Sequence, residues 1–119
     1  MIKGIGIDLV ELDRIQTSLE KSDRLAKRVL TPKEQTIFYS YRSLNRKVEF
    51  LAGRFSAKEA FAKATGQGIG TLSFQDIEIL ADDKGRPMIK AKGYEADQIF
   101  VSITHSKKYA AAQVIIEEK

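Results

Sequence analysis

The chain has 119 residues, 43% hydrophobic and 30% charged, a length and balance that suit one core and a single domain spanning 1–119. It contains no cysteine and one histidine, which excludes disulfide staples, thiolate catalysis, zinc ribbons and iron–sulfur clusters and leaves a hard, oxygen-liganded ion such as Mg²⁺ as the only suitable metal. Twenty Lys+Arg against sixteen Asp+Glu give a net charge of +4, which suits RNA, phosphorylated ligands or an acidic protein partner equally well.

In MIKGIGIDLVELDR, Ile5, Ile7 and Leu9 alternate with Gly6, Asp8 and Val10, the period-2 pattern of a strand with one apolar face. Asp8 lies on the other face with Gly4 and Gly6, which leave room for a second backbone or a ligand. The apolar stretch is far short of the ~20 residues of a membrane span and does not read as a secretory leader, so a cytoplasmic protein with no membrane partner is expected. Leu12, Ile15 and Leu19, then Leu25, Val29 and Leu30, recur at helical spacing with a break near Ser22-Asp23. The opposite face is basic, with Arg14, Lys21, Arg24, Lys27 and Arg28. Thr31-Pro32-Lys33-Glu34 joins an N-cap, a proline at the first helical position and a capping-box Glu, so a new helix starts there. The clearest helix runs from about Arg46 to Thr65 and stops at Gly66. Val48, Leu51, Ala52, Phe55 and Ala62 form its apolar stripe, and Glu59 falls within that stripe with Lys63 one turn beyond. After the loop GQGIG, strands are expected at Leu72–Leu80, Pro87–Lys92, Ile99–Thr104 and Tyr109–Ile116, the last two as a hairpin. The class is α+β: an N-terminal strand, helices, then an antiparallel sheet that the first strand joins.

Asp8 and Glu59 are the candidate pair for a hard divalent ion, because Mg²⁺ takes one or two protein carboxylates and fills its octahedron with water and phosphate oxygens. Glu59 could instead pair with Lys63 along the helix, and Asp8 could serve a turn or cap. His105 shares a strand face with Val101 and Ile103, and the Ser106-Lys107-Lys108 turn after it suits phosphate oxygens. A backbone-bonded hairpin histidine is the plainer reading of the same residue. GQGIG lacks the Lys-Ser/Thr ending of a phosphate loop and follows a helix, so it is neither a P-loop nor a dinucleotide fingerprint. An RNA-binding module would need stacking aromatics among basic residues; the sheet offers Phe74, Phe100 and Tyr109 without a clustered pattern, and no nucleic-acid partner is expected. A Mg²⁺-dependent nucleotide pyrophosphatase would use the same site with water as the nucleophile.

GIGIDLVEL near the N-terminus, FLAGRFSAKEAFAKATG in the middle and VSITHSKKYAAAQVII at the end closely resemble the holo-[acyl-carrier-protein] synthases, the small bacterial 4′-phosphopantetheinyl transferases, over nearly the whole chain. The resemblance implies transfer of the 4′-phosphopantetheine arm of coenzyme A to a serine of apo acyl carrier protein for fatty acid biosynthesis, releasing adenosine 3′,5′-bisphosphate. It implies Mg²⁺ held by Asp8 and Glu59, Lys63 on the pyrophosphate, and His105 beside the phosphates with Thr104 and Ser106 flanking. By the same likeness Arg46 and Arg54 would meet the 3′-phosphate, and Gly85-Arg86-Pro87 would line the adenine pocket. Family members are homotrimers with shared active sites, so these groups need not come from one chain. Glu59 is the best-placed general base, with Asp8 or His105 in its stead. Because acyl carrier proteins are acidic, Arg14, Arg24 and Arg28 are the candidate partner contacts.

Overall fold

We describe a computed structural model of the chain over residues 1–69 and 72–119. In chain order the elements are β1 (Ile2–Glu11), α1 (Leu12–Lys21), α2 (Arg24–Val29), α3 (Pro32–Ser40), α4 (Leu44–Thr65), a 3-10 turn (Phe74–Asp76), β2 (Ile77–Ala81), β3 (Pro87–Ala91), β4 (Asp97–His105) and β5 (Tyr109–Glu118). Helices precede most of the strands, and the class is α+β. The strands form two sheets rather than the single one expected: a three-stranded antiparallel sheet in the order β1-β5-β4, and a separate β2-β3 hairpin that leans on β4.

Helix ends follow local chemistry. Thr31 and Glu34 make the reciprocal capping box that the sequence announces. α4 starts two residues before its expected position, because the Ser43 side chain accepts from the Arg46 N–H at 3.1 Å. It ends where Gly66 adopts φ 79°. The segment expected as one strand over Leu72–Leu80 is divided. Ser73 and Asp76 cap the 3-10 turn over Phe74–Asp76, so regular pairing begins only at Ile77. Gly70, the last residue of GQGIG, lies outside the described residues.

α4 crosses the inner face of the three-stranded sheet, against β1, β5 and β4. Gly4 and Gly6 make this possible: a Cβ on either would stand 1.9 Å from the carbonyl oxygen of Ala64 or Ala60. The glycine side of β1 is therefore the inner one, and the apolar side formed by Ile5, Ile7 and Leu9 is exposed, at 60%, 64% and 63%. An alternating strand ordinarily buries its apolar face, but here the close approach of a helix backbone reserves the inner face for residues without bulk. On β5, Ala110, Ala112, Val114 and Ile116 are buried under α4, and Gln113 faces outward.

Two buried clusters share the length of α4. One joins its first half (Val48, Phe50, Leu51) to α1, α2 and α3 through Ile15, Val29, Leu30 and Phe38. The other joins its second half (Ala57, Phe61, Ala64) to β5 and the hairpin through Val114, Ile77, Ile79 and Ile89. Lys58 is fully buried between them.

Candidate active site

Asp8 projects from the inner face of β1 towards the second half of α4. Lys63 meets it there, donating from Nζ to Asp8 Oδ1 at 3.0 Å and to the Ile7 carbonyl at 3.1 Å. The helix pairing of Lys63 with Glu59 that the sequence allowed does not form: Lys63 takes Asp8, a partner the spacing did not suggest, and Glu59 makes no ion pair among the described residues. Burial pushes the Glu59 carboxyl above its ordinary value and the Asp8 charge adds to the shift, against the opposing influence of Lys63 and Arg28. Asp8 and Glu59 share a cleft of about 460 Å³ with Arg14, Ile15, Leu25, Arg28 and Phe55. Glu59, Arg28 and Phe55 also line a second cleft of about 520 Å³, whose other walls are Ile69, Leu72, Ser73 and Phe74. Glu59 therefore belongs to both clefts, each lined by a mixture of polar and apolar side chains.

The donor set fits Mg²⁺. Two carboxylates on two rigid elements repel one another, and only Asp8 has an ion-pair partner among the described residues, a lysine already shared with a backbone carbonyl, so a hard divalent cation would suit the pair. No cluster of three or more metal-ligating side chains occurs among the described residues, and a Mg²⁺ held by this pair would need water or ligand oxygens for the rest of its octahedron.

The other expected site residues lie elsewhere on the same chain. His105 is on the inner face at the end of β4, as the alternation required, with Nδ1 3.7 Å from Glu49 Oε2. Glu49 precedes Glu59 by ten residues on α4, roughly 15 Å along the axis. Thr104 faces outward, and Ser106 accepts from the Lys108 and Tyr109 N–H groups in the β4–β5 turn. Near the start of α4, Arg46 stacks over Tyr41 with Cζ 4.9 Å from the ring centre. Arg54 lies 4.3 Å over Phe50, and its Nε is buried without a hydrogen-bond partner among the described residues. Burial depresses the Arg54 guanidinium below its ordinary value, opposed by Glu34 and Tyr41. Gly85, with φ 84°, forms the β2–β3 turn, in which Arg86 bonds Asp82 at 3.0 Å. Arg86 and Pro87 line a third cleft, with Phe100, Val101 and Lys119.

Arg14 and Arg28 lie where the basic face meets the Glu59 cleft, and Arg24 is exposed at the start of α2. Of the aromatic residues considered for stacking, Phe74 is buried, with Phe55 beside it and the Arg28 guanidinium over its ring.

Sequence reasoning missed Glu49 and the fully buried pair of Glu34 and Lys58, whose Nζ and Oε1 are 2.6 Å apart. A signal for Lys58 was present: it lies seven residues after Leu51, three after Phe55 and three before Phe61, on an apolar face of α4.

Comparison with known proteins shows the family. The family model for the 4′-phosphopantetheinyl transferase superfamily matches residues 4–114. The chain is 58% identical over 118 residues to the holo-[acyl-carrier-protein] synthase of Bacillus pumilus (strain SAFR-032), covering 98% of this chain and 97% of that one. It is 53% identical to the enzyme of that name from Oceanobacillus iheyensis, with 100% and 99% covered. Among solved structures, the holo-(acyl-carrier-protein) synthase of Bacillus anthracis str. Ames in complex with CoA (3′,5′-ADP) superposes with a TM-score of 0.90 at 44% identity, covering 100% and 99% of the two chains. The Helicobacter pylori enzyme in complex with coenzyme A gives 0.82 at 33% identity, over 95% and 99%. The chain belongs to the 4′-phosphopantetheinyl transferase superfamily and, within it, to the holo-[acyl-carrier-protein] synthases.

Proposed function

We propose that the protein transfers the 4′-phosphopantetheine arm of coenzyme A to a serine hydroxyl of an apo acyl carrier protein, with Mg²⁺ as its metal, and releases adenosine 3′,5′-bisphosphate. On this reading residues 1–119 work as one domain of a cytoplasmic homotrimer that serves fatty acid biosynthesis. The observation that carries it is the pairing of Asp8 and Glu59, from strand and helix, in one cleft beside Lys63.

Asp8 and Glu59 would hold the Mg²⁺, which when bound neutralises charge on the pyrophosphate. Lys63 spends two of its three N–H donors on Asp8 and Ile7, and the third is free to meet a phosphate oxygen whose charge grows as the leaving group departs. Glu59, which shares the cleft with Asp8, is the general base on this reading. It takes the serine proton, directly or through a water, as the serine oxygen bonds to the β-phosphorus and the bond from that phosphorus to the bridging oxygen breaks. The apolar side chains of Phe55, Ile69, Leu72 and Phe74 suit the pantetheine arm. Arg54, whose buried Nε has no hydrogen-bond partner among the described residues, and Arg46 would take the 3′-phosphate, His105 the neighbouring phosphates with Thr104 and Ser106 beside it, and Gly85-Arg86-Pro87 the adenine.

A homotrimer reconciles these roles with the distances. Roughly 15 Å of α4 separates Glu49, the neighbour of His105, from Glu59, so one subunit would supply the carboxylates and its neighbour the phosphate and adenine contacts. The exposed Ile5, Ile7, Leu9 and Phe100 on the outer sheet face give such an assembly an apolar surface to bury, with Gln113 among them for polar pairing. The basic ridge of Arg14, Arg24 and Arg28 fits an acidic carrier protein docking beside Glu59. Incubation with coenzyme A, Mg²⁺ and apo acyl carrier protein, followed by mass spectrometry of the carrier, tests the reading. A carrier heavier by one phosphopantetheine supports it, and hydrolysed coenzyme A with unchanged carrier overturns it in favour of a pyrophosphatase.

A further inference from the structure

We propose that Lys58, held by Glu34, is a positioning residue for the transfer reaction: its ammonium pins together the walls of the cleft around Glu59 and thereby sets where Glu59 and Arg28 point. The inference rests on the transfer reading above. Lys58 and Glu34 have side chains with 0% exposure, so neither reaches a substrate, and any effect on chemistry must pass through their neighbours.

The neighbours are specific. Lys58 Nζ donates to Glu34 Oε1 at 2.6 Å, to the Val29 carbonyl at 2.7 Å and to the Phe74 carbonyl at 3.1 Å, which uses all three N–H groups. Val29 follows Arg28 at the end of α2, and Phe74 is itself a wall of the cleft. Glu34 extends the network: Oε1 accepts from the Thr31 N–H at 2.8 Å and Oε2 from the Ile79 N–H at 2.7 Å. One ammonium thus ties α4 to α2, to the start of α3 and to the 3-10 turn. Glu59 is the next residue on α4, about 100° further round the axis, so the bonds that fix the rotation of Lys58 fix the direction of Glu59.

Stability alone does not call for this arrangement, because buried ion pairs replaced by apolar residues of similar volume commonly leave a protein as stable as before. Three N–H donors directed at three particular oxygens supply what apolar packing cannot, a single orientation of α2 and the 3-10 turn against α4. Groups bonded directly to a metal ligand typically change metal affinity or activity by ~10–100-fold when removed; Lys58 acts on Glu59 through the orientation of the helix that carries both, and the lower end of that range is the expected effect.

Lys58→Met alone would leave Glu34 buried and unpaired, so the working variant is Lys58→Met with Glu34→Gln, whose amide oxygen can still accept from Ile79. We expect it to melt cooperatively with a native circular dichroism spectrum. Its Mn²⁺ affinity in the presence of coenzyme A, read by electron paramagnetic resonance, should fall by ~10-fold, and kcat by a similar factor with the KM for carrier unchanged. The chain has no cysteine, so Lys58→Cys can be aminoethylated with 2-bromoethylamine while unfolded and then refolded, restoring an ammonium on an arm of nearly the same length. That protein should recover to within a few-fold of wild type. A folded double variant with wild-type Mn²⁺ affinity and kcat would overturn the proposal. So would an aminoethylated protein no better than the double variant, or a double variant that does not fold, which would assign the pair to stability. If wild type itself transfers nothing to the carrier, the reading of the function fails, and the Mn²⁺ comparison still judges Lys58.

Discussion

At Glu59 two influences act in the same direction, burial and the charge of Asp8, and both favour the protonated carboxyl. A carboxyl whose proton affinity is higher folded than unfolded contributes stability that is fully present below its unfolded pKa and is lost as pH rises through the folded value. In the metal-free protein, Glu59→Gln should therefore raise the Tm at pH 7 and flatten its pH dependence above that unfolded value, as calorimetry across pH would show. In the assay, Asp8→Ala and Glu59→Ala should each lower transfer by more than ~10²-fold with native circular dichroism, since on the proposed reading they remove metal ligands and not core volume; near-normal turnover at limiting Mg²⁺ would refute the ligand assignment. A different expectation attaches to Ser56, whose hydroxyl is fully buried without a partner among the described residues. Ser56→Ala should stabilise the protein by roughly 1 kcal/mol in urea titrations, because it deletes an unsatisfied polar group and substitutes the best helix former. The carboxylate pair was legible in the sequence because acids on a glycine-lined strand face and on an apolar helix stripe are conspicuous. Lys58 was not noticed because α4 is apolar around most of its circumference, so the stripe through Leu51, Lys58 and Phe61 competes with the one through Phe55 and Glu59.

At the scale of elements, the contact between β1 and α4 decides the geometry of the site, since it sets Asp8 against Lys63 and Glu59. Its tolerance is small. A Cβ on Gly6 would stand 1.9 Å from the Ala60 carbonyl oxygen, and backbone cannot retreat as a flexible side chain would. Gly6→Ala should cost on the order of 3 kcal/mol or more and reduce transfer in whatever fraction remains folded, because it pushes Asp8 away from α4; circular dichroism melts and the carrier assay together would show both. The alternation of β1, the caps at Thr31 and Gly66 and the C-terminal hairpin were legible because each depends on residues a few positions apart. Which face of β1 is buried was not, because that depends on a helix some sixty residues later. The division of the strands into two sheets escaped for a similar reason: period-2 patterning identifies strands but carries no information on which of them pair.

At the scale of the whole molecule, charge and assembly make separate predictions. Arg14→Glu with Arg24→Glu should raise KM for carrier and leave KM for coenzyme A nearly unchanged. The wild-type KM for carrier should climb with salt, since rim charges act over roughly 8–10 Å at physiological ionic strength. A double reversal that weakened only coenzyme A would assign the ridge to the nucleotide.

The proposed assembly rests on two features that one subunit leaves unresolved: an outer sheet face with Ile7 and Leu9 more than 60% exposed, and candidate site residues divided between the two halves of α4. A single association answers both, if the apolar faces of three subunits pack around an axis and each brings its His105 and Arg86 toward a neighbour's Asp8 and Glu59. Light scattering should then give three times the chain mass, and replacing Ile7 with Glu should dissociate the assembly, since a charge directed into an apolar interface has no partner there. Complementation is the sharper measurement. Asp8→Ala and Arg86→Ala each disable every site in a homotrimer of their own kind, but subunits mixed through a denaturation and refolding cycle would pair an intact Asp8 with an intact Arg86 at some interfaces. Activity in the mixture well above the sum of the two variants is the expected outcome. A mixture no more active than its components would place Asp8 and Arg86 in the same subunit's site and leave the exposed face of β1 without this explanation.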